Sequence, residues 1–104
     1  MAKAVPPCPV EAAIQIIGGK WKLLILRSLL LNGPQRYNEL LATVTAVSQK
    51  ELTRNLRELT GSGLVARESG TSRLTRYELT KLGKSLMPTF KKLLTWGTKL
   101  LASR

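Results

Sequence analysis

The sequence predicts a mainly α-helical domain with one small β-hairpin, an α+β fold. Three observations support this prediction. Leucine and other apolar residues recur every three to four positions through most of the chain, as they do on one face of an amphipathic helix. Clusters of Gly, Pro and Asn divide these helical stretches. Within residues 64–79, two short β-like runs flank a Gly- and Ser-containing turn, which is typical of a hairpin.

The N-terminal third is predicted to form an arm and two helices. Residues 1–7 end in two prolines and are expected to be a flexible, extended arm ahead of a domain that spans residues 8–104. A first helix opens at Pro9, because a missing N–H costs nothing at the first helical position. A second helix, Lys20 to Leu31, is apolar nearly all round, so we expect it at the centre of the domain.

Two short helices are predicted to follow in the middle of the chain. A very short strand at residues 35–37 precedes a helix from Glu39 to Val44, with Asn38 as its N-cap. About three residues then lead to a further helix that starts at Ser48. Two helices joined in this way, the second one basic on its outer side, form the helix-turn-helix arrangement.

The helix that starts at Ser48 has two faces of different chemistry. Ser48 and Glu51 fit a capping box, in which each side chain accepts a hydrogen bond from the backbone N–H of the other residue. An apolar stripe at helical spacing is formed by Leu52, Leu56 and Leu59. The opposite face is predicted to carry Lys50, Arg54 and Arg57, with Gln49, Thr53 and Asn55 on its flanks.

An outer face of this composition suits a DNA major groove. Arg and Lys bond guanine edges or phosphates, and Gln and Asn bond adenine. The chain carries 17 Lys and Arg against six acidic residues, a formal net charge of +11, which favours a polyanionic partner. The alternatives are a solvated surface helix that happens to be basic and a basic protein that is merely soluble.

The hairpin after this helix is interpreted as a wing. Val65, Tyr77 and Leu79 are expected to face the core. Its arginines, expected on the outer side or at the tip, would reach phosphates or a minor groove: Arg67, Arg73 and Arg76. The alternative is a surface turn with solvated arginines.

A last helix is predicted from Thr80 to Ala102. Pro88 lies in its interior, so we expect a kink or a break near Ser85. Its apolar stripe is wider than a chain of this length covers by itself, which predicts that the same helix of a second copy covers it. The alternative is packing entirely within one chain.

The composition argues against an enzyme. The chain has no His and no Asp, which excludes a His general base, a Ser-His-Asp relay and His-containing or paired-Asp metal sites, so no metal and no cofactor are expected. One cysteine forms no internal disulfide. No apolar run reaches the roughly 18 residues that a membrane span needs, and we expect a cytoplasmic protein with no membrane partner.

Four blocks of the sequence resemble the HxlR-type, MarR-like winged-helix transcriptional regulators. The blocks are CPVEAAIQIIGGKWKLLIL, RYNELL, SQKELTRNLRELTGSGLV and YELTKLGKSLMP followed by Trp96, and they occur in the order of the family across residues 8–97. The resemblance implies a winged helix-turn-helix on each subunit of a homodimer that binds an inverted-repeat operator in double-stranded DNA.

The resemblance also implies site residues. The positions of the family's recognition helix fall on Ser48, Gln49, Lys50, Thr53, Arg54 and Arg57. The dimer is implied to form through the N- and C-terminal helices, on Val10, Ile14, Phe90, Leu93, Leu94, Gly97, Leu100 and Leu101. Family members usually carry a longer wing loop than the turn at Ser69–Ser72, so Arg73 is left with either a minor-groove or a phosphate contact.

The single cysteine is a candidate redox sensor. Cys8 directly precedes Pro9 at the N-cap of the first helix, where the helix dipole favours a thiolate. In several HxlR-like regulators the matching cysteine senses oxidants or quinones. The alternative is an inert cysteine at the dimer interface.

The sequence thus predicts a dimeric, sequence-specific DNA-binding transcriptional regulator, and a response to oxidants or electrophiles through Cys8 is a further hypothesis. The sequence does not identify the effector, which would be a small molecule or an oxidant. The alternatives are a nonspecific architectural nucleic-acid-binding protein and, much less favoured, a thiol enzyme.

Overall fold

Residues 8–68 and 75–104 are described by a computed structural model. The predicted arm at residues 1–7 and the predicted tip of the wing, including Arg73, lie outside them. The described elements are α1 (Pro9–Ile17), α2 (Lys20–Asn32), β1 (Gln35–Arg36), α3 (Tyr37–Thr43), α4 (Gln49–Gly61), β2 (Val65–Arg67), β3 (Arg76–Leu79), α5 (Lys81–Lys84) and α6 (Met87–Ala102). The predicted α+β class, mainly helical with a small β-hairpin, is confirmed.

The strands form one antiparallel sheet in the order β1-β3-β2. Val65 lies opposite Leu79 in the hairpin, and Gln35 lies opposite Tyr77 where β1 joins β3. The side chains of Val65, Tyr77 and Leu79 are buried as predicted, because alternate residues of a strand face the same side. The sheet therefore contributes these three side chains to the core, and its strands are held in a fixed register.

The core is built around α2. Ile25 and Leu26 of this helix are fully buried, which confirms its predicted central position. They belong to the same apolar cluster as Leu40 of α3 and as Leu52 and Leu59 of α4. Burying the leucines of α4 fixes which side of this helix is left for solvent.

The predicted last helix is broken near Ser85, as the position of Pro88 predicts. The Thr80 side chain accepts from the backbone N–H of Gly83 at 3.1 Å and caps the short α5. Helix α5 ends before Ser85, and α6 restarts with Pro88 in its first turn, where a proline needs no N–H partner.

The start of α3 differs from the sequence prediction. The N-cap is Arg36, and the helix begins at Tyr37 rather than after Asn38. The carboxylate of Glu39 accepts from the backbone N–H of Arg36 at 2.7 Å, which satisfies a donor that a helix start otherwise leaves unpaired. This contact moves the beginning of the helix two residues towards the N-terminus.

Helices α1 and α6 expose apolar side chains in the single chain. Val10, Ile14, Leu94 and Leu101 are 60–71% exposed, and none of the nine residues of α1 is buried. Phe90 is only 8% exposed within its own chain, so it offers less surface to a partner than the other predicted contact residues of α6 do. No helix of the described part of the chain is long and apolar enough to cross a membrane.

Candidate nucleic-acid interface

The helix α4 begins at a capped serine. Ser48 Oγ accepts from the backbone N–H of Glu51 at 3.1 Å, as the capping box predicts. The second half of the predicted box is wrong. The Glu51 carboxylate bonds Arg54 Nη2 at 2.7 Å instead of returning to the backbone of Ser48, because a guanidinium one turn along the helix offers a charged donor.

The two faces of α4 are separated by burial. Leu52, Leu56 and Leu59 are at most 2% exposed. The residues assigned to the outer face and exposed to solvent are Ser48, Gln49, Lys50, Thr53, Arg54 and Arg57. A row of cationic and polar side chains is thus presented on a helix whose other side is fixed in the core.

Asn55 does not belong to the outer face. Its side chain is 4% exposed, and its Nδ2 donates to the backbone oxygen of Glu51 at 2.7 Å. The spacing explains this buried position, since Asn55 lies three residues after Leu52 and four before Leu59 and therefore shares their face. Asn55 is a satisfied core amide rather than a base-contacting residue.

Tyr37 is part of this surface, and the sequence analysis did not identify it. Its hydroxyl lies 2.8 Å from Thr53 Oγ1 and donates to the backbone oxygen of Gln49 at 3.1 Å. A concavity of about 470 Å³ is lined by Tyr37, Gln49, Lys50, Thr53, Arg54 and Arg57. Only the tertiary structure brings the first residue of α3 against α4, so no spacing in the sequence indicates this contact.

Arg54 is held between two carboxylates of its own helix. Arg54 Nη2 lies 2.7 Å from Glu51, and Nη1 lies 3.5 Å from Glu58. The hydrogen bond that Arg54 donates to Glu51 is the main cause that raises the pKa of Arg54. Glu58 also pairs with Lys22 Nζ of α2 at 2.5 Å, and this contact is the main cause that lowers the pKa of Glu58.

The groove between α4 and the wing carries Arg57 and one further arginine, Arg67. Its volume is about 490 Å³, and its lining residues are Thr53, Leu56, Arg57, Thr60, Gly61, Arg67 and Tyr77. On the outer face of the sheet, Arg76 is exposed and lies directly opposite Arg36, which is also exposed. Opposed like charges repel, so this part of the sheet favours an anionic neighbour.

Cys8 lies at the N-cap of α1, as predicted, and its side chain is exposed. The backbone N–H of Glu11, and after it that of Val10, lower the pKa of the Cys8 thiol, because these donors stabilise the thiolate. The backbone N–H of Cys8 in turn donates to the Glu11 carboxylate at 3.3 Å. The first turn of α1 therefore favours an accessible thiolate.

Comparison with known proteins gives consistent matches over this fold. Residues 16–104 match the model of a family described as HxlR-like helix-turn-helix. The HTH-type transcriptional regulator YkvN of Bacillus subtilis (strain 168) is 42% identical over 92 residues, which cover 86% of this chain and 77% of that protein.

Solved structures agree with the sequence matches. A structure of the HTH-type transcriptional regulator ytcD has a TM-score of 0.83 at 36% identity and covers 92% of this chain and 99% of its own. The redox regulator HypR in its oxidised form has a TM-score of 0.77 at 35% identity, with 88% and 96% of the two chains covered.

Proposed function

The chain belongs to the HxlR-like helix-turn-helix family of transcriptional regulators, and from this premise we propose that it acts in the cytoplasm as a homodimer that reads an inverted-repeat operator. Each subunit places α4 in a major groove, with the two helices about 34 Å apart. The resemblance seen in the sequence and the family match both indicate a helix-turn-helix transcriptional regulator.

The division of α4 into two faces is the observation that carries the proposal. Its leucines are buried, so the exposed side is held at a fixed orientation. Gln49, Lys50 and Arg54 are proposed to contact base edges in the major groove. The remaining predicted DNA-binding residues are proposed to contact phosphates or to lie along the sugar-phosphate backbone of the DNA: Ser48, Thr53, Arg57, Arg73 and Arg76.

The exposed apolar residues of the terminal helices support the dimer. Val10 and Ile14 of α1, and Leu94 and Leu101 of α6, leave apolar surface in water that a second copy would remove. Leu93, Gly97 and Leu100 continue the same helix face. A two-fold arrangement through these helices would present the two copies of α4 to the two halves of a symmetric site.

Cys8 is proposed to make the regulator responsive to oxidants. The Cys8 thiolate attacks one oxygen of a peroxide and the O–O bond breaks, so that the sulfur is oxidised by two electrons to a sulfenic acid. The other oxygen takes up a proton and leaves as water or an alcohol. A second thiol, from Cys8 of the other subunit or a small thiol, then displaces water to give a disulfide. The exposure and lowered pKa of Cys8 support the first step, and the similarity to the redox regulator HypR supports the class of signal.

A nonspecific architectural DNA-binding protein is the second candidate, supported by the net charge of +11. Selection of bound duplexes from a random pool, followed by competition with scrambled duplexes at fixed salt, separates the two. The proposal predicts one enriched inverted repeat and retention of its binding under a large excess of scrambled DNA. Equal competition by every duplex would refute sequence-specific reading.

The sensor role has its own test. Peroxide should release the selected duplex from the wild-type protein and leave the complex of the Cys8→Ser variant intact. Equal release from both proteins would show that Cys8 is inert.

A further inference from the structure

Lys22 connects the core helix α2 to the outer face of α4. Its side chain is 15% exposed, and its Nζ lies 2.5 Å from Glu58 Oε1. The other oxygen of Glu58 faces Arg54, at 3.5 Å from Nη1. A single carboxylate therefore joins a lysine whose side chain is mostly buried to an arginine of the proposed DNA-reading surface.

Arg54 is bracketed along its helix by this anchored carboxylate and by Glu51. Glu51 lies three residues before Arg54 and bonds Nη2, whereas Glu58 lies four residues after it and faces Nη1. Ion pairs between exposed side chains of one helix are weak, because water competes for both charges. The pair between Lys22 and Glu58 is less exposed to water, and it restricts where the Glu58 carboxylate lies.

We propose that Lys22 is a positioning residue for sequence reading: it anchors Glu58, which with Glu51 fixes the direction in which Arg54 presents its guanidinium to a base pair. This inference rests on the proposed function. Bidentate recognition of a guanine edge requires both guanidinium nitrogens at a set angle, so an arginine restrained before binding loses less conformational freedom on contact. Lys22 itself is expected to make no phosphate contact, because its charge is directed at α4.

The test measures base discrimination and salt dependence separately. The selected operator and a set of duplexes with single base-pair changes are titrated with wild type and with the Arg54→Ala, Lys22→Met and Glu58→Gln variants. Lys20→Met is the matched control, because it removes the same charge from an exposed position of the same helix. Thermal unfolding establishes that each variant is folded at the temperature of the titration.

Arg54→Ala should lose discrimination at one base-pair position. Lys22→Met should lose about five- to tenfold of discrimination at that same position. Its slope of log affinity against log salt should equal that of wild type, since this slope counts the phosphates neutralised. Lys20→Met should keep full discrimination at that position. Lys22→Met in an Arg54→Ala background should cause no further loss.

Three outcomes separate the two proposals. Wild-type protein that prefers no duplex would overturn the proposed function. A selective wild type, with discrimination lost in Arg54→Ala but unchanged in folded Lys22→Met, would overturn only the positioning role. Unchanged discrimination in Arg54→Ala would also overturn it, because there would then be no base contact for Lys22 to position.

Discussion

The hydroxyl of Tyr37 lies 2.8 Å from the hydroxyl of Thr53 and thereby joins the first residue of α3 to the exposed side of α4. The same phenol donates to the backbone oxygen of Gln49 in the first turn of α4. These two contacts sit at the edge of the candidate interface rather than in the core. They restrain the angle between the two helices of the helix-turn-helix from the side that would face DNA.

Removing the phenol hydroxyl tests this restraint. Tyr37→Phe should lower the free energy of unfolding by about 0.5–1.5 kcal/mol, the usual net contribution of a hydrogen bond. Thr53→Val and the double variant complete a double-mutant cycle in chemical denaturation. We expect a coupling energy in favour of the native pair. Strict additivity of the two single changes would show that the hydroxyl contact contributes nothing.

The leucine face of α4 should be the part most sensitive to truncation. Leu56→Ala is expected to destabilise the protein by about 2–5 kcal/mol, because it leaves a cavity in a packed core. Leu31→Ala, at a leucine of α2 that is 62% exposed, is the control and should change stability by less than about 0.5 kcal/mol. Similar losses in both variants, measured by urea unfolding, would contradict the assignment of the buried face.

The exposed apolar side of α6 should control association. Leu94→Glu places a charge at the proposed contact between copies and should shift the protein to a monomer in sedimentation velocity, because burying an unpaired charge is costly. Leu31→Glu adds the same charge elsewhere and should leave the dimer intact. A Leu94→Glu protein that sediments as wild type would show that this side of α6 does not hold the proposed dimer together.

The Cys8 thiol should be reactive at lower pH than an ordinary cysteine. Backbone N–H groups of the first turn lower its pKa in the folded state, so the thiolate persists as the pH falls below the value at which a free thiol protonates. The rate of alkylation by iodoacetamide against pH should therefore have its midpoint below that of the same chain in concentrated urea, where the helix is lost. Coincident midpoints would remove the electrostatic argument for a sensor.

Periodicity was sufficient for the elements whose position depends on burial. The leucines of α4, the central place of α2 and the break before Pro88 follow from spacing and from the geometry of proline. The inward position of Asn55 was also available from spacing, since it shares a face with the leucines. Its amide chemistry led to the wrong prediction, because an amide also serves as a buried donor to the backbone.

The contacts that join separate elements could not be predicted in the same way. Glu51, Arg54 and Glu58 are three and four residues apart, so their pairing within the helix was open to prediction. The partners Lys22 and Tyr37 were not, because they meet α4 only through the tertiary arrangement of α2 and α3. Phe90 lies on the predicted stripe of α6, but packing within the chain covers it before a second copy can.

We propose that DNA binds the exposed face of α4 and is not held simply by the overall positive charge of the protein. Two double variants each remove two positive charges from exposed positions. One is Lys50→Ala/Arg57→Ala on α4, and the other is Lys91→Ala/Lys92→Ala on α6. Fluorescence anisotropy with the selected duplex at one salt concentration compares them directly. We expect a loss of at least about tenfold in affinity for the α4 pair and near wild-type affinity for the α6 pair. Equal losses in both double variants would contradict binding through the exposed face of α4.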